Sequence, residues 1–389
     1  GMLSMRNDGA SLPELIGKYL GRNAKMVMLA FTVLLLIMVG TVFVYSPAEI
    51  LHSIWGSSLF WIIVIIAYYV IATMLPIDKI IGKIYPLFAL SLLFMAGALM
   101  VMLFVKMPQL PELWTHFYNM GAEAEPEKWT DQIFPCLFIT IACGAISGFH
   151  ATQSPLMARC VKSEHMGRPI FYGAMITEGV VALIWATVSS WFFYGSPAPG
   201  YELIAAVNTG FSTSAPAVVN IVCNDWLGVA GAILALLGVV AAPITSGDTA
   251  FRSARLIIGE WLHIDQRPII KRLAICLPLF ISSIAMLVWQ IENPDGFNII
   301  WQYFGWANQT LSVFTLWTLT VYLVRQKKPY IITLIPALLM TTVCTTFLFV
   351  SKQAFHLPEN IGYLLGILCL VVALVWFIVW YRKEKSKLV

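Results

Sequence analysis

A run of small and polar residues interrupts an apolar segment near residue 144. Within ITIACGAISGFHATQSP, Gly144, Ser147, Gly148, Phe149 and His150 stand where a helix would otherwise continue. Glycine adopts non-helical dihedral angles easily, and backbone that unwinds inside a bilayer needs protein or a watery cavity around its polar groups. Broken helices of this kind form the central site of many secondary transporters. The run therefore predicts a substrate site, in which unwound backbone, Ser147 and His150 contact a solute; the alternative for His150 is a packed, hydrogen-bonded residue.

One acidic residue, Glu178, lies deep in an apolar segment. A charged carboxylate costs about 2.5–3.5 kcal/mol at the centre of a membrane helix, so such residues usually face the interior of a helix bundle. Glu178 is therefore predicted to carry a proton or to lie on an ion path. The alternative is a protonated carboxyl group bonded to a neighbouring helix, with Gly173 and Gly179 allowing that helix to approach.

Four residues with hydroxyl or carboxylate oxygens crowd together shortly after Pro243, where a span is predicted to end. They are Thr245, Ser246, Asp248 and Thr249. Such oxygens suit a hard cation such as Na⁺ or a proton relay, so the run is predicted to bind or relay a coupling ion. The alternative, equally favoured, is that Ser246 or Asp248 caps an interfacial helix carrying Arg252 and Arg255.

Amide side chains interrupt an aromatic run between residues 298 and 317. Asn308 and Gln309 follow Trp306 there. In lipid, amide side chains need partners and commonly hold helices together, each contributing about 0.6–2 kcal/mol. That role is expected for some of them, whereas Trp306 and Asn308 are also candidates for lining or gating a cavity.

The elements that carry these residues are predicted to be membrane-spanning helices. Of the 389 residues, 59% are hydrophobic and 11% are charged, against about 25% charged in a typical soluble protein. Apolar runs of roughly twenty residues, enough to cross a bilayer, recur throughout. We predict an all-α, polytopic transmembrane bundle. Its ten spans are expected at 26–46, 59–75, 85–105, 133–149, 170–195, 226–243, 269–289, 301–323, 331–350 and 362–381.

Basic residues are distributed unequally between the two sides of these spans. With the N-terminus inside, all but three of the 24 Lys and Arg residues fall on the inner side; the exceptions are Lys106, Lys128 and Lys352. This asymmetry predicts that both ends are cytoplasmic. The net charge of +4 does not indicate nucleic-acid binding. The sequence shows no metal-ligand spacing and no catalytic motif. We therefore expect that the protein binds no metal ion and no cofactor and that it is not an enzyme.

Residues 1–25 are predicted to form a cytoplasmic amphipathic segment ahead of a transporter domain at 26–389. Ser11, Pro13 and Glu14 have the pattern of a helix start, and Gly21 marks its end. Apolar residues recur between them at helical spacing. The helix is expected to lie along the membrane surface or, alternatively, to pack on a partner helix.

Three segments together resemble the carbon starvation protein A family of bacterial membrane transporters. They are FITIACGAISGFHATQSP, SGDTAFRSARLIIGE and YFGWANQTLSVFTLW. The resemblance implies uptake of peptides or pyruvate in the carbon starvation response. It also implies a fold similar to the amino acid–polyamine–organocation superfamily, with two inverted five-helix repeats that each open with a broken helix. On that basis, 133–149 would open the second repeat, and 226–243 with the TSGDT run would supply part of an ion site.

Family members begin with further membrane helices ahead of the segment that resembles SMRNDGASLPELI. Those helices include the broken helix that opens the first repeat. We therefore expect this sequence to lack its native start.

The resulting hypothesis is a secondary active transporter of the bacterial inner membrane, working by alternating access on a small carboxylate-bearing nutrient. The expected substrate-binding residues are Gly144, Ser147, Gly148, Phe149, His150, Trp306 and Asn308, and the expected ion-coupling residues are Glu178, Thr245, Ser246, Asp248 and Thr249. Na⁺ or H⁺ is the expected coupling ion, and the oligomeric state stays open. The alternative is a membrane-embedded nutrient sensor or scaffold that binds without transport.

Overall fold

The computed structural model describes residues 1–52, 55–74, 81–110, 112, 114, 133–144, 146–195, 215–293, 296–352 and 354–388. All regular structure among these residues is helical, so the predicted all-α class is confirmed. The α-helices are α1 Met2–Met5, α2 Leu12–Leu20, α3 Arg22–His52, α4 Ser58–Met74, α5 Ile81–Lys106, α6 Phe138–Ile141, α7 Gly148–Ala158, α8 Ala174–Tyr194, α9 Ala215–Ala235, α10 Ala241–Trp261, α11 Ile269–Glu292, α12 Gly296–Arg325, α13 Ile331–Val350 and α14 Glu359–Leu388.

Five short helical segments of other geometry adjoin these helices. The π-helical ones are Ile133–Leu137, Arg168–Gly173 and Leu236–Val240, and the 3₁₀ ones are Ala142–Gly144 and Glu164–Met166. A π turn widens a helix locally, and a 3₁₀ turn tightens it. Two of them, Ile133–Leu137 and Ala142–Gly144, flank the one-turn helix α6.

Among the described residues, six helical stretches are long and apolar enough to cross a membrane. They are Arg22–His52, Tyr85–Lys106, Glu164–Tyr194, Ile269–Glu292, Ile331–Val350 and Glu359–Lys387. A shorter apolar helix covers Ser58–Thr73. Helices suit a bilayer because they satisfy their backbone polar groups internally. The chain is therefore a multi-pass membrane protein, while the count of ten spans and the inverted repeats stay predictions.

The predicted span at 226–243 lies within a longer helical stretch. Residues 215–261 form α9, a π-helical segment and α10 in succession, so the predicted end at Pro243 falls in the first turn of α10. Proline is tolerated in a first turn, because its missing N–H would have no intrahelical partner there. Inside α9, Gly228 has a positive φ of 60°, which bends the helix where no break was predicted.

The chain divides into two units, of which the first contains Gly1–Leu36, Asn119–Met175 and Gln290–Val389. Helix α12 is central to this unit, because α2, α7 and α13 all pack on it and α13 packs in turn on α14. Its apolar core includes Ile139, Val313, Met340 and Val343.

The second unit contains Ile37–Tyr118 and Ile176–Trp289. Here α5 packs on α9, and α10 packs on α4 and α5. The core includes Met95, Leu99, Val188, Phe192 and Val222, all buried. Glu178 and the predicted ion-coupling run belong to this unit, whereas the predicted substrate-binding residues belong to the first.

The N-terminal segment is folded onto the first unit. Helix α2 begins after Ser11 and ends before Gly21, which has a positive φ of 101°, as the sequence predicts; the Ser11 side chain makes no capping bond. Leu12, Leu15 and Ile16 are buried and α2 packs on α12, so α2 matches the alternative of a helix packed on a partner helix.

Arg6 ties the loop after α1 to the rest of the first unit. Its Nε donates to Glu164 Oε1 at 2.7 Å and its Nη1 donates to the Tyr322 hydroxyl at 2.9 Å. These hydrogen bonds raise the pKa of the Arg6 guanidinium, the bond to Glu164 contributing most. The loop is thereby anchored to α12 as well as to the segment that precedes α8.

Candidate functional site

The predicted interruption between Gly144 and Gly148 is present. A 3₁₀ turn over Ala142–Gly144 ends the first helical stretch, Ser147 is extended with φ −123° and ψ 123°, and α7 begins at Gly148. Ala145 lies outside the described residues. The prediction of a broken helix is confirmed, and α7 presents the start of a new helix, whose first N–H groups have no intrahelical partner.

A side chain from another helix occupies the start of α7. The Phe149 amide donates to Asn308 Oδ1 at 2.6 Å, and the Ser147 hydroxyl donates to the same oxygen at 3.3 Å. The His150 amide in turn donates to the Ser147 Oγ at 3.3 Å. A backbone N–H can only donate, so the contact with Phe149 identifies the Asn308 oxygen as the acceptor. Ser147 acts as the helix N-cap and Asn308 extends that cap from α12.

Gly148 lets the two helices touch. A Cβ at this position would collide with the Asn308 carbonyl oxygen and lie 2.7 Å from the Leu311 Cβ. Asn308 itself has no solvent exposure. The geometry therefore brings together Ser147, Gly148, Phe149, His150 and Asn308, which were predicted from two distant parts of the sequence.

The neighbouring amide, Gln309, links α12 to the other side of the interruption. Its Nε2 donates to the Ile139 carbonyl on α6 at 3.2 Å, and the residue is fully buried. Sequence analysis expected amides to hold helices together, but it gave no partner for Gln309. Asn308 and Gln309 are adjacent on α12 and bond segments on both sides of the interruption, which fixes the geometry of the break.

The Trp306 side chain is held by contacts with two other helices. Its indole Nε1 donates to the Cys344 carbonyl on α13 at 3.1 Å, and its ring packs edge-on against Phe31 at 5.5 Å between centroids. Gly144 ends the 3₁₀ turn, and His150 is half-buried in α7. Contact of any of these residues with substrate stays a prediction.

Asn308→Leu is expected to lower the free energy of unfolding by about 1–3 kcal/mol, because the Phe149 amide and the Ser147 hydroxyl would remain buried without their acceptor. Asn308→Asp keeps an acceptor oxygen at the helix N-terminus and is expected to retain most of the stability. Thermal unfolding of the purified variants in one detergent measures both. Equal melting temperatures for Asn308→Leu and the wild type would contradict the capping role.

The predicted ion-coupling run lies inside α10, not at its start. Asp248 is fully buried and pairs with Arg252, Oδ2 to Nη2 at 3.3 Å. The alternative that Ser246 or Asp248 caps a helix is wrong, because α10 begins at Ala241. The Thr245 hydroxyl donates to the Ala242 carbonyl at 2.9 Å and the Thr249 hydroxyl to the Ser246 carbonyl at 2.9 Å.

Both arginines of α10 reach the end of another helix. The Arg252 Nη2 donates to the Ala72 carbonyl at 3.4 Å and the Arg255 Nη1 to the Thr73 carbonyl at 3.1 Å. These carbonyls lie in the last turn of α4, where positive side chains interact favourably with the helix dipole. Sequence analysis placed both arginines on a helix but gave no partner for them, since no local pattern indicates which helix end a distant arginine meets.

Tyr69 completes the surroundings of this segment. Its hydroxyl donates to the Phe43 carbonyl at 3.0 Å and to the Pro243 carbonyl at 3.4 Å. A Cβ at Gly247 would collide with that hydroxyl, so α10 and α4 approach closely at Gly247.

Among the described residues, no group of three or more His, Cys, Asp or Glu side chains could hold a metal ion.

Glu178 is half-buried within α8. The packing alternative expected Gly173 and Gly179 to admit a close neighbour. A Cβ at either glycine would meet no described atom within 4 Å, and the packing alternative stays a prediction. A proton-carrying role for Glu178 stays a prediction.

Comparison with known proteins identifies the family to which the chain is similar. The family described as carbon starvation protein CstA matches residues 44–198 and 200–347. An uncharacterized membrane protein of Haemophilus influenzae is 41% identical over 253 residues, which is 53% of this chain and 68% of that protein. The peptide transporter CstA of Bacillus subtilis is 28% identical over 328 residues, covering 74% of this chain and 54% of the transporter.

A shorter match concerns the pyruvate/proton symporter BtsT of Escherichia coli. It is 41% identical over 75 residues, which is 19% of this chain and 10% of the symporter. The chain spans about half of the length of the peptide transporters that it matches.

Proposed function

Because the chain belongs to the carbon starvation protein CstA family, we propose that it acts in secondary active transport of a small carboxylate-bearing nutrient, a peptide or pyruvate, across the bacterial inner membrane. The names of the relatives support this substrate class, since they include peptide transporters and a pyruvate/proton symporter. Both ends of the chain are proposed to be cytoplasmic, on the strength of the unequal distribution of its Lys and Arg residues.

The observation that carries the proposal is the interrupted helix between Gly144 and Gly148. Non-helical backbone at membrane depth needs protein or a water-filled cavity beside it, and discontinuous helices form the solute sites of many transporters. The N-terminus of α7 carries partial positive charge, which favours the carboxylate of a solute. Asn308 already accepts from the Phe149 amide, and Ser147 accepts from the His150 amide. Substrate binding is therefore proposed to use the partial positive charge of this helix start and the half-buried His150 side chain.

A proton is the coupling ion that the local electrostatics favour. In the predicted ion-coupling run, Asp248 faces the guanidinium of Arg252, whose positive charge opposes the binding of Na⁺ at the same carboxylate. Glu178 is an acidic residue deep in an apolar segment and is proposed to be the proton carrier. Thr245, Ser246, Asp248 and Thr249 are proposed to support the relay by holding α10 in place.

Uptake by proteoliposomes tests the transport proposal. The native gene product is expected to accumulate labelled pyruvate or a labelled dipeptide when the outside is made acidic, and to do so without added Na⁺. Dissipating the pH gradient with an ionophore should remove the accumulation. Failure of both solutes to enter, with or without gradients of H⁺ and Na⁺, would refute transport of this substrate class.

Glu178→Gln is expected to make uptake independent of pH, because glutamine keeps the shape of the side chain and cannot carry the proton. The initial uptake rate is measured over a range of external pH, with Glu292→Gln as the matched control, since Glu292 is an exposed carboxylate at the end of α11. His150→Gln separates any contribution of the imidazole. A pH profile of Glu178→Gln that coincides with the wild type would assign Glu178 a packing role.

The second candidate is a membrane-embedded nutrient sensor or scaffold. The observation that favours it is the capped state of α7, because the Phe149 amide and the Ser147 hydroxyl already have a protein acceptor. Binding of labelled pyruvate or dipeptide to the purified protein, without uptake under any gradient, would select this candidate over transport.

A further inference from the structure

An aromatic cavity of about 340 Å³ lies within the first unit, at the junction of α2 and α3 with the C-terminal halves of α12 and α14. Its lining includes Tyr19, Phe314, Trp317, Trp376, Phe377 and Trp380. The volume falls within the roughly 300–1,000 Å³ of known ligand pockets. This aromatic cavity shares no lining residue with the predicted substrate site.

The lining combines buried and outward-facing side chains. Phe377 is 7% exposed, whereas Trp376, on the preceding position of α14, is 74% exposed. The indole Nε1 of Trp317 donates to the Thr341 hydroxyl at 3.1 Å, which fixes that ring in the wall. Because Trp376 stands on a helix that is apolar and long enough to span the bilayer, the outer side of the aromatic cavity faces lipid.

The three chain segments that border the aromatic cavity are strongly basic. In residues 12–25, 325–328 and 382–387 the basic side chains are Lys18, Arg22, Lys25, Arg325, Lys327, Lys328, Arg382, Lys383, Lys385 and Lys387, against the acidic Glu14 and Glu384. Glu14 is paired with Lys25, and Glu384 with Arg325 and Lys387. The ion pairs leave a clear excess of positive charge.

Two of these basic residues stand beside the lining of the aromatic cavity. Lys18 is exposed to solvent, and its Nζ lies 5.9 Å from the centre of the Tyr19 ring. The Arg325 guanidinium is 5.9 Å from the centre of the Tyr19 ring, which is itself part of the lining. An apolar, aromatic interior therefore opens beside a cationic rim, at helix ends where a bilayer has its headgroups.

We propose that the aromatic cavity binds one anionic phospholipid, with an acyl chain against Trp317, Trp376 and Phe377 and the phosphate at the rim formed by Lys18 and Arg325. The apolar lining matches an acyl chain, tryptophan favours the boundary between apolar and polar regions, and the basic rim complements an anionic headgroup. This inference does not depend on the proposed transport function, and its test has a readout other than uptake.

Brominated lipids test the proposal, because bromine quenches the fluorescence of a nearby tryptophan and three of the 14 tryptophans line the aromatic cavity. The protein is reconstituted into phosphatidylcholine vesicles that contain either dibrominated phosphatidylglycerol or dibrominated phosphatidylcholine at equal bromine content. The wild type is expected to be quenched more strongly by the anionic lipid. In Lys18→Gln/Arg325→Gln, the preference for the anionic lipid is expected to fall by about tenfold.

Two further variants control the charge effect. Lys352→Gln removes an exposed positive charge that does not belong to the basic rim and should leave the preference unchanged. Ala373→Phe, which fills the aromatic cavity without altering charge, should remove the preference. Circular dichroism and thermal unfolding verify that each variant is folded.

Equal quenching of the wild type by both lipids would overturn the proposal. It would also fail if the preference survived in both Ala373→Phe and Lys18→Gln/Arg325→Gln. Cross-linking of two chains through Trp376→Cys, together with equal quenching by both lipids, would assign the aromatic cavity to contact between copies of this chain and would reject the lipid.

Discussion

Replacing Gly148 with alanine is expected to destabilise the protein and to abolish most of its uptake. Gly148 starts α7 where that helix meets α12, and a Cβ there would collide with the Asn308 backbone oxygen and lie 2.7 Å from the Leu311 Cβ. A backbone oxygen cannot rotate aside, so the two helices must separate. Overpacking of this kind costs about 1–3 kcal/mol. Separation would also weaken the bond from the Phe149 amide to Asn308, which holds the helix start in position.

The measurements are thermal unfolding of the purified protein and uptake of labelled pyruvate and dipeptide by proteoliposomes. Gly97→Ala is the matched control: Gly97 lies inside α5, and a Cβ there would meet no described atom within 4 Å. Alanine is favoured over glycine inside a helix by about 1 kcal/mol, so Gly97→Ala should stabilise the protein slightly. If Gly148→Ala were as stable and active as Gly97→Ala, the close approach of α7 and α12 would not matter.

The break itself was predictable because its causes are local. Glycines at 144 and 148 weaken the helix between them, and Ser147 is a good N-cap for a helix that starts at 148. Each of these preferences acts within a few residues of the position concerned. The interruption was therefore predicted from the sequence, whereas the N-cap role of Ser147 and the helix start at Gly148 were not.

The partner of the break was not predictable from local preferences. Asn308 is 159 positions away from Phe149, and its bond depends on the packing of α12 against α7. Residue type alone indicates that a buried amide needs a partner, but it does not indicate which. For the same reason, the sequence left open whether Asn308 lines a cavity or joins helices, and the second of these describes its contacts.

The helix continues past Pro243, where the sequence predicts the end of a span. This continuation also depends on more than local preferences. A proline ends a helix when it would fall in the interior, and it starts one when it falls in the first turn. The choice depends on where the preceding helix ends, and α9 and the π-helical segment place that end before Ala241. Hydropathy averages the whole stretch and does not resolve this boundary.

Replacing Asp248 with alanine is expected to lower the free energy of unfolding by about 3 kcal/mol. Breaking a buried ion pair costs roughly 3–5 kcal/mol because the remaining charge stays uncompensated. Asp248 has no solvent exposure, and the side chain of Arg252 is 20% exposed, so the lower end of this range applies. The loss is measured by unfolding of the purified protein in a single detergent, and Asp248→Asn, which keeps the shape and an acceptor oxygen, is expected to lose less.

The double variant Asp248→Leu/Arg252→Met separates the ion pair from any role in coupling. Apolar replacement of both partners of a buried pair is often close to neutral, so the double variant should be more stable than Asp248→Ala. The gain in stability is reduced by the loss of the hydrogen bond from Arg252 to the Ala72 carbonyl. Equal instability of the double variant and Asp248→Ala would contradict the ion pair as the cause. Uptake then decides the role of the carboxylate: a stable double variant with normal proton-driven uptake makes Asp248 structural, whereas a stable one without uptake makes Asp248 part of the proton path.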